Sequence, residues 1–362
     1  MKAETAQIAA AASSTGAGAG ELARLYRRQN HWRWLCLLGL GAALLLSLAA
    51  DLATGSARYP LATVLAGLFD PSGLDASLRV VIFDVRLPYA LMALVVGGAL
   101  GLGGAQLQTV LNNPLASPFT LGVAAAATLG ASLVIVFEHH LPLVLPHEIL
   151  LPVGAFVLAL GSTGLILLLS RAHGGGSDTL VLFGIALLFA LEALVWLLQF
   201  LADANALEQI VFWSMGNLGR ATLTHVLIVA VALLLGLISA MRRAWALTLL
   251  RSGPLQAASL GVQVDKLSWR VLLEVSLLTA VALAFVGTIG FVGLVGPHIA
   301  RLLVGEQHRY FLPASVLCGA LMLSLASLAS KALVPGLVIP IGIVTALVGV
   351  PVLIALILRR RA

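Results

Sequence analysis

Charge is what this chain has least of. Only 10% of its 362 residues are Asp, Glu, Lys or Arg, while 60% are hydrophobic. A soluble domain carries roughly a quarter charged residues. So few charges cannot give a globule of this length a water-compatible surface, so the natural solvent is lipid and the chain is counted in membrane spans. Lysine is the scarcest cation. Its three occurrences, Lys2, Lys266 and Lys331, follow Met1, Asp265 and Ser330. A phosphate-binding loop needs Gly-Lys-Ser or Gly-Lys-Thr, so none is present and ATP hydrolysis has to come from another polypeptide. The HExxH, GxSxG and DxDxDG patterns are missing too, and no catalytic constellation is visible. Two cysteines, Cys36 and Cys318, sit inside apolar runs without a CxxC spacing, which reads as small buried hydrophobes and excludes a thiolate metal site.

What is abundant is long apolar sequence. Taking about 20 apolar residues per crossing, spans fall near residues 34–53, 87–111, 119–137, 150–170, 179–202, 223–241, 270–287, 291–304, 310–331 and 340–358. The expected fold is therefore an all-α integral membrane protein of about ten transmembrane helices. The eighth run is too short to cross alone if straight, and it reads as half of a broken pair with the seventh. Residues 1–33 read as a flexible cytoplasmic tail, small and low in complexity before ELARLYRRQNHWRW, and not as a cleaved signal peptide. Residues 34–362 form the membrane domain.

The basic residues set orientation. With a cytoplasmic N-terminus, sixteen of the 21 Lys and Arg fall on inside segments, and only Arg58, Arg79, Arg86, Arg220 and Lys331 fall outside. An even number of crossings then puts both termini inside. The same distribution explains the formal net charge of +6 without any nucleic-acid partner.

Several segments are more than connectors. Gly97, Gly98, Gly101, Gly103 and Gly104 crowd the second span, and Gly287, Gly290, Gly293 and Gly296 recur every third residue before Pro297. Small residues let helices approach closely in lipid, and they also permit bending. Asn112 to Pro118 reads as a defined tight turn. The longest inside loop, 242–269, holds Ser252-Gly253-Pro254 and a short helix from Leu255 to Leu260 stopped by Gly261. Its apolar Leu255, Leu260 and Val262 suggest a surface for a cytoplasmic partner; a helix lying on the lipid interface is the alternative.

The external loop 203–221 reads as a short helix with Phe212 and Trp213 as an interfacial anchor. Glu192 lies midway along the fifth span and Glu274 near the inner end of the seventh. A carboxylate there must face protein or water, so Glu192 reads as facing an aqueous pathway or pairing with a neighbouring helix. Glu138-His139-His140 and His147-Glu148 bracket an external turn and read as exposed loop residues, with no metal site. His298, after Gly296-Pro297, reads as the start of a helical segment.

Four stretches in order carry a resemblance. Arg86-Leu87-Pro88 with ALVVGGALGLGGAQLQTVLNNPLASPFTLG, the segment ASLGV (258–262), GTIGFVGLVGPHIARLLVGEQHRYFLP (287–313) and IPIGIVTALVGVPVLIALILRR (339–360) are similar to the permeases of bacterial ABC importers for iron-siderophores, haem and vitamin B12. The resemblance covers residues 34–360. It implies a type II importer permease of ten helices per subunit, working as a dimer with two ATP-binding subunits below and a periplasmic binding protein above. ATP and magnesium would be used by the partner, and this chain would hold no cofactor. The loop residues Leu255, Ala257, Ala258, Leu260 and Gly261 would fit a groove in the ATPase. Arg86 and Lys331, the latter where the family has arginine, would meet acidic residues of the binding protein. Ser177 and Asp178 would mark the inner gate.

This chain departs from the family pattern at Tyr89, which replaces a second arginine, at Val338-Ile339-Pro340 in place of Glu-Leu-Pro, and at Ser327, where an aspartate is usual. The expected activity is import of a ferric siderophore or related chelate across the inner membrane. Haem and cobalamin are alternatives within the family, and an ion-coupled secondary transporter using Glu192 is the rival class.

Overall fold

The computed structural model describes residues 19–55, 59–138, 145–172, 177–334 and 336–359. Among these residues the regular structure is helical, with no strand. Helix α1 (Ala19–Ala53) is followed by the short helices α2 (Leu61–Phe69) and α3 (Ala76–Val80). A π-helical turn over Val81–Arg86 then runs straight into α4 (Leu87–Val110). Next come α5 (Val123–Phe137), α6 (His147–Ala172), α7 (Ser177–Leu201), α8 (Ala204–Ser214) and α9 (Leu223–Arg242). Two short helices, α10 (Ala244–Leu250) and α11 (Pro254–Ser259), lead to α12 (Val264–Val286), α13 (Val292–Val304), α14 (His308–Ala332) and α15 (Ile341–Arg359).

The helices α1, α4, α6, α7, α9, α12 and α14 are long and apolar enough to cross a membrane, and α5, α13 and α15 are shorter apolar helices. Together they occupy the ten positions expected from hydropathy. Two boundaries differ. Residues 19–33, expected as part of a flexible tail, continue α1 as helix, because a run with four Arg, two Leu and two Ala has high helix propensity. The seventh span is complete in itself: α12 has 23 residues, enough for about 34 Å at 1.5 Å per residue. Only α13 is short, its 13 residues reaching about 20 Å. It starts at Val292, close to the expected 291, so His298 lies inside it and does not begin it.

Helix α4 is the axis of the bundle, buried almost continuously from Pro88 to Thr109. Its glycines explain why. A methyl group at Gly97 or Gly101 would overlap the carbonyl oxygens of Gly319 or Ser315 on α14, and one at Gly104 would overlap that of Gly293 on α13. These helices touch backbone to backbone, the contact that gains most in lipid. Tyr89 lies beside Lys331 and Thr109 beside His308, so α4 and α14 run antiparallel. By contrast, Arg33 meets Gln307 while Ser47 meets Ser324, so α1 and α14 run parallel. Those relative directions are the ones that alternate crossings demand of spans one, two and nine.

Between α12 and α13 the chain breaks at Gly287, with φ +73°, and restarts at Phe291, with φ +66°. Left-handed backbone suits glycine and costs a side-chain-bearing residue such as Phe291. The break is held by the end of α8 and the turn after it: Asn217 N donates to Val286 O at 2.7 Å, and Thr288 Oγ1 donates to Ser214 O; Gly342 N of α15 donates in turn to Met215 O at 2.9 Å. Trp213, expected as an interfacial anchor, is only 4% exposed and belongs to the core at this junction. Phe212 beside it is exposed.

Candidate functional site

Polar chemistry concentrates at the two ends of the bundle. At the end carrying α10 and α11, the loop expected to meet a partner is organised as helix. Pro254 opens α11 at a position where a missing N–H costs nothing, and Gly253 before it has φ +119°. Gly261, with φ +87°, ends it, and its N–H donates to Ala258 O at 3.0 Å. The two faces of this short helix differ. Ala257 is fully buried against the body, while Leu255 is 88% and Leu260 54% exposed, with Ala258 and Gly261 also exposed. Ala257 therefore anchors the helix from behind, and does not share the outward role expected for the five residues together. Leucines this exposed on a built helix form a surface that water alone leaves unsatisfied.

Behind the loop, Glu274 near the middle of α12 accepts from Ser239 Oγ at 2.6 Å and pairs with Arg243. That pairing satisfies its charge within the protein. The turn from Asn112 to Pro118 is as tight as its composition suggests: Asn113 Oδ1 accepts from Leu115 N at 2.9 Å, and Asn112 takes φ +45°.

At the opposite end a buried charge cluster joins α1 to α14. Asp51 is fully buried; it accepts from Lys331 Nζ at 2.9 Å and from Ser327 Oγ at 2.8 Å. The ammonium of Lys331 also lies 4.1 Å from the centre of the Tyr89 ring, a cation–π distance. Arg86 is 5% exposed and donates to the carbonyls of Leu52 at 2.9 Å and Ala53 at 3.2 Å. Its guanidinium caps the last turn of α1, where orphan carbonyls and the helix dipole favour a cation.

Arg86 and Lys331, expected to offer charge to a docking protein, are engaged within this single subunit. Arg86 is buried and the Lys331 side chain is 7% exposed, each satisfying a polar group at the end of α1 that would otherwise be stranded. Asp51 was not singled out from the sequence. The available signal was an acidic residue in the final turn of an otherwise apolar run. Its partner on α14 is 280 residues away, a separation no local pattern spans.

Glu192 is half-exposed on α7, with no hydrogen bond or ion pair among the described residues. At 3.6 residues per turn it shares a face with Leu182, Ile185, Phe189, Trp196 and Phe200. Leu182, Phe189, Trp196 and Phe200 are strongly exposed in the single subunit. Ser177 and Asp178 open α7, and their side chains lie outside the described residues. His147 Nδ1 stands 2.6 Å from Glu138 Oε2; His139 and His140 lie outside the described residues. Among the described residues a cavity of about 260 Å³ lies between α1, α13, α14 and α15, lined almost wholly by apolar groups such as Leu40, Val295, Met322 and Val348. It is smaller than typical small-molecule pockets of roughly 300–1,000 Å³ and offers few polar groups to orient a chelate.

Comparison with known proteins agrees with this architecture. The profile of the FecCD transport family matches residues 23–359. The chain is 38% identical to the hemin transport system permease of Yersinia pestis over 318 residues, 88% of this chain and 95% of that one. It is 33% identical to the vitamin B12 import system permease of Vibrio vulnificus over 332 residues, 92% and 96% of the two chains. A solved inward-facing metal-chelate type ABC transporter superposes with a TM-score of 0.77 at 32% identity, covering 90% of this chain and 99% of that one. A ten-helix apolar bundle, a built helical loop at one end and a match over nearly the whole length lead to one conclusion: the chain belongs to the FecCD transport family and is a multi-pass permease subunit of an ABC importer.

Proposed function

We propose that this permease forms one half of a passage for a ferric siderophore or related metal chelate, moving it from periplasm to cytoplasm across the bacterial inner membrane. An ATP-binding subunit seats on α11, and both chain termini face the cytoplasm with it. A substrate-binding protein delivers the chelate at the opposite end, and a second copy of the chain completes the passage. The observation that carries this reading is the exposure of Leu255 and Leu260 on a short helix whose buried Ala257 ties it to the bundle. A surface of that kind converts pressure from a partner into movement of the helices behind it. The small cavity inside one subunit supports a passage built between two copies. The relatives named for hemin and vitamin B12 support a bulky metal chelate as cargo, with its selection left mainly to the binding protein.

The test is uptake of a radiolabelled ferric siderophore, with haemin and cobalamin alongside, into proteoliposomes containing the permease and its two partner proteins. Uptake that requires ATP, and is lost in Leu260→Asp and Gly261→Trp while the protein remains monodisperse, supports the reading. ATP-independent uptake that an uncoupler abolishes replaces it with secondary transport through Glu192. Uptake of haemin or cobalamin alone keeps the mechanism and changes the cargo.

A further inference from the structure

One carboxylate links the stem of the α10–α11 loop to α13. Arg251 follows α10 and precedes α11 by three residues. Its Nη2 donates to Glu306 Oε1 at 2.5 Å, and its Nη1 donates to Asn112 Oδ1 at 3.3 Å in the turn after α4. Arg301, on α13, brings its Nε to 3.3 Å from the same Glu306 oxygen. The other end of Arg301 donates from Nη2 to Gln108 Oε1 on α4 at 2.9 Å, and Gln108 Nε2 donates on to Leu294 O at 3.3 Å. A second strand of the network runs beside it. Fully buried His308 places Nε2 2.8 Å from Thr109 Oγ1 on α4 and Nδ1 3.1 Å from Thr248 Oγ1 on α10.

Two elements thus meet at Glu306, the loop stem through Arg251 and the short helix α13 through Arg301, and each arginine reaches on to the end of α4 or the turn after it, at Gln108 and Asn112. Without the carboxylate, two guanidinium groups would face each other at close range with no shared anion, and like charges so placed repel. Glu306 itself is nearly half exposed, its side chain at 46%. A contact so open to water contributes little to global stability. Its geometry is nonetheless specific, because it joins a partner-facing loop to the helices at the core. We propose that Glu306 is a positioning residue that makes the α11 loop, α13 and α4 move as one body, so that its loss separates ATP hydrolysis from transport. This rests on the reading of α11 as the seat of the ATPase.

The experiment measures uptake and ATP hydrolysis together in proteoliposomes carrying the whole complex, for the intact permease, Glu306→Gln, Glu306→Asp, Arg251→Ala and the double variant Glu306→Gln/Arg251→Ala. The expected result is that Glu306→Gln retains the ATPase subunit and its hydrolysis while transport per ATP falls roughly tenfold. Glu306→Asp recovers most of the loss. Arg251→Ala, which also loses the Asn112 bond, lowers transport per ATP at least as far, and the double variant is no worse than Arg251→Ala, since the Arg251–Glu306 contact can be lost only once. Unchanged transport per ATP in Glu306→Gln overturns the proposal, as does loss of ATPase binding in Glu306→Gln and Glu306→Asp alike, which would make the residue a docking or folding element. Retained ATP-driven uptake in Leu260→Asp overturns the assignment of α11 instead, so the two failures are distinguishable.

Discussion

Asp51 shows how one residue reorganises the end of a span. On the resemblance drawn from the sequence, aspartate is expected where this chain has Ser327; Lys331 has its counter-ion all the same, supplied by α1 and touching Ser327 as well. Here the carboxylate stands on α1, across the interface from Ser327 and Lys331 on α14. Breaking a buried pair strands the remaining charge at a cost of about 3 kcal/mol or more, whereas replacing both partners with apolar groups is close to neutral. Asp51→Asn is therefore expected to lower thermal stability in detergent, followed by tryptophan fluorescence. Asp51→Ser/Ser327→Asp should restore most of it, because the carboxylate returns to reach of Lys331 from α14 itself. Asp51→Leu/Lys331→Met should sit nearer to the intact protein than either single change. If the Asp51→Ser/Ser327→Asp variant is no more stable than Asp51→Ser alone, the relocated-charge account is wrong.

Among the helices, close packing and chain breaks divide the glycines between them. Gly104 presses on the backbone of Gly293, so a side chain at 104 has nowhere to go without separating α4 from α13. Gly104→Val should leave little monodisperse protein on gel filtration. Gly290→Ala is the control: no atom lies within 4 Å of the added carbon and its φ is unexceptional, so yield and stability should be unchanged. Gly261 differs again. Its surroundings are open, but its φ of +87° means that Gly261→Ala should cost about 1 kcal/mol locally through strain alone. That should appear as faster amide exchange over 254–262 with little change in the bundle.

For the molecule as a whole, two faces of equal exposure have different meanings. Phe189 on α7 and Leu227 on α9 are each 63% exposed in the single subunit. The α9 face carries no Asp, Glu, Lys or Arg before Arg242 and suits lipid. The α7 face carries Glu192, and a carboxylate costs about 3 kcal/mol at mid-membrane unless it faces protein or water. In a background with Cys36 and Cys318 replaced by alanine, Phe189→Cys should therefore cross-link two copies in membranes under a short bismaleimide, and Leu227→Cys should not. Equal cross-linking of both, or cross-linking from Leu227→Cys alone, would place the second copy elsewhere.

Membrane character, ten apolar crossings and their spacing were legible without coordinates, because each depends on local hydrophobic runs and lipid admits few other solutions. The short helix over 254–259 was legible for a similar reason: Gly253-Pro254 starts it and Gly261 stops it within a few residues. Charge partners were not legible. A docking role for Arg86 and Lys331 came from the resemblance, and nothing near them in sequence reveals that Leu52, Ala53 and Asp51 meet them from α1. Glu306 and Arg251 lie 55 positions apart, and Arg301 meets Gln108 across 193. Hydrophobic pattern determined that helices cross and roughly where; which polar groups they bring together depended on the register of glycine-backed contacts between α4, α13 and α14, a property of packing that no single segment contains.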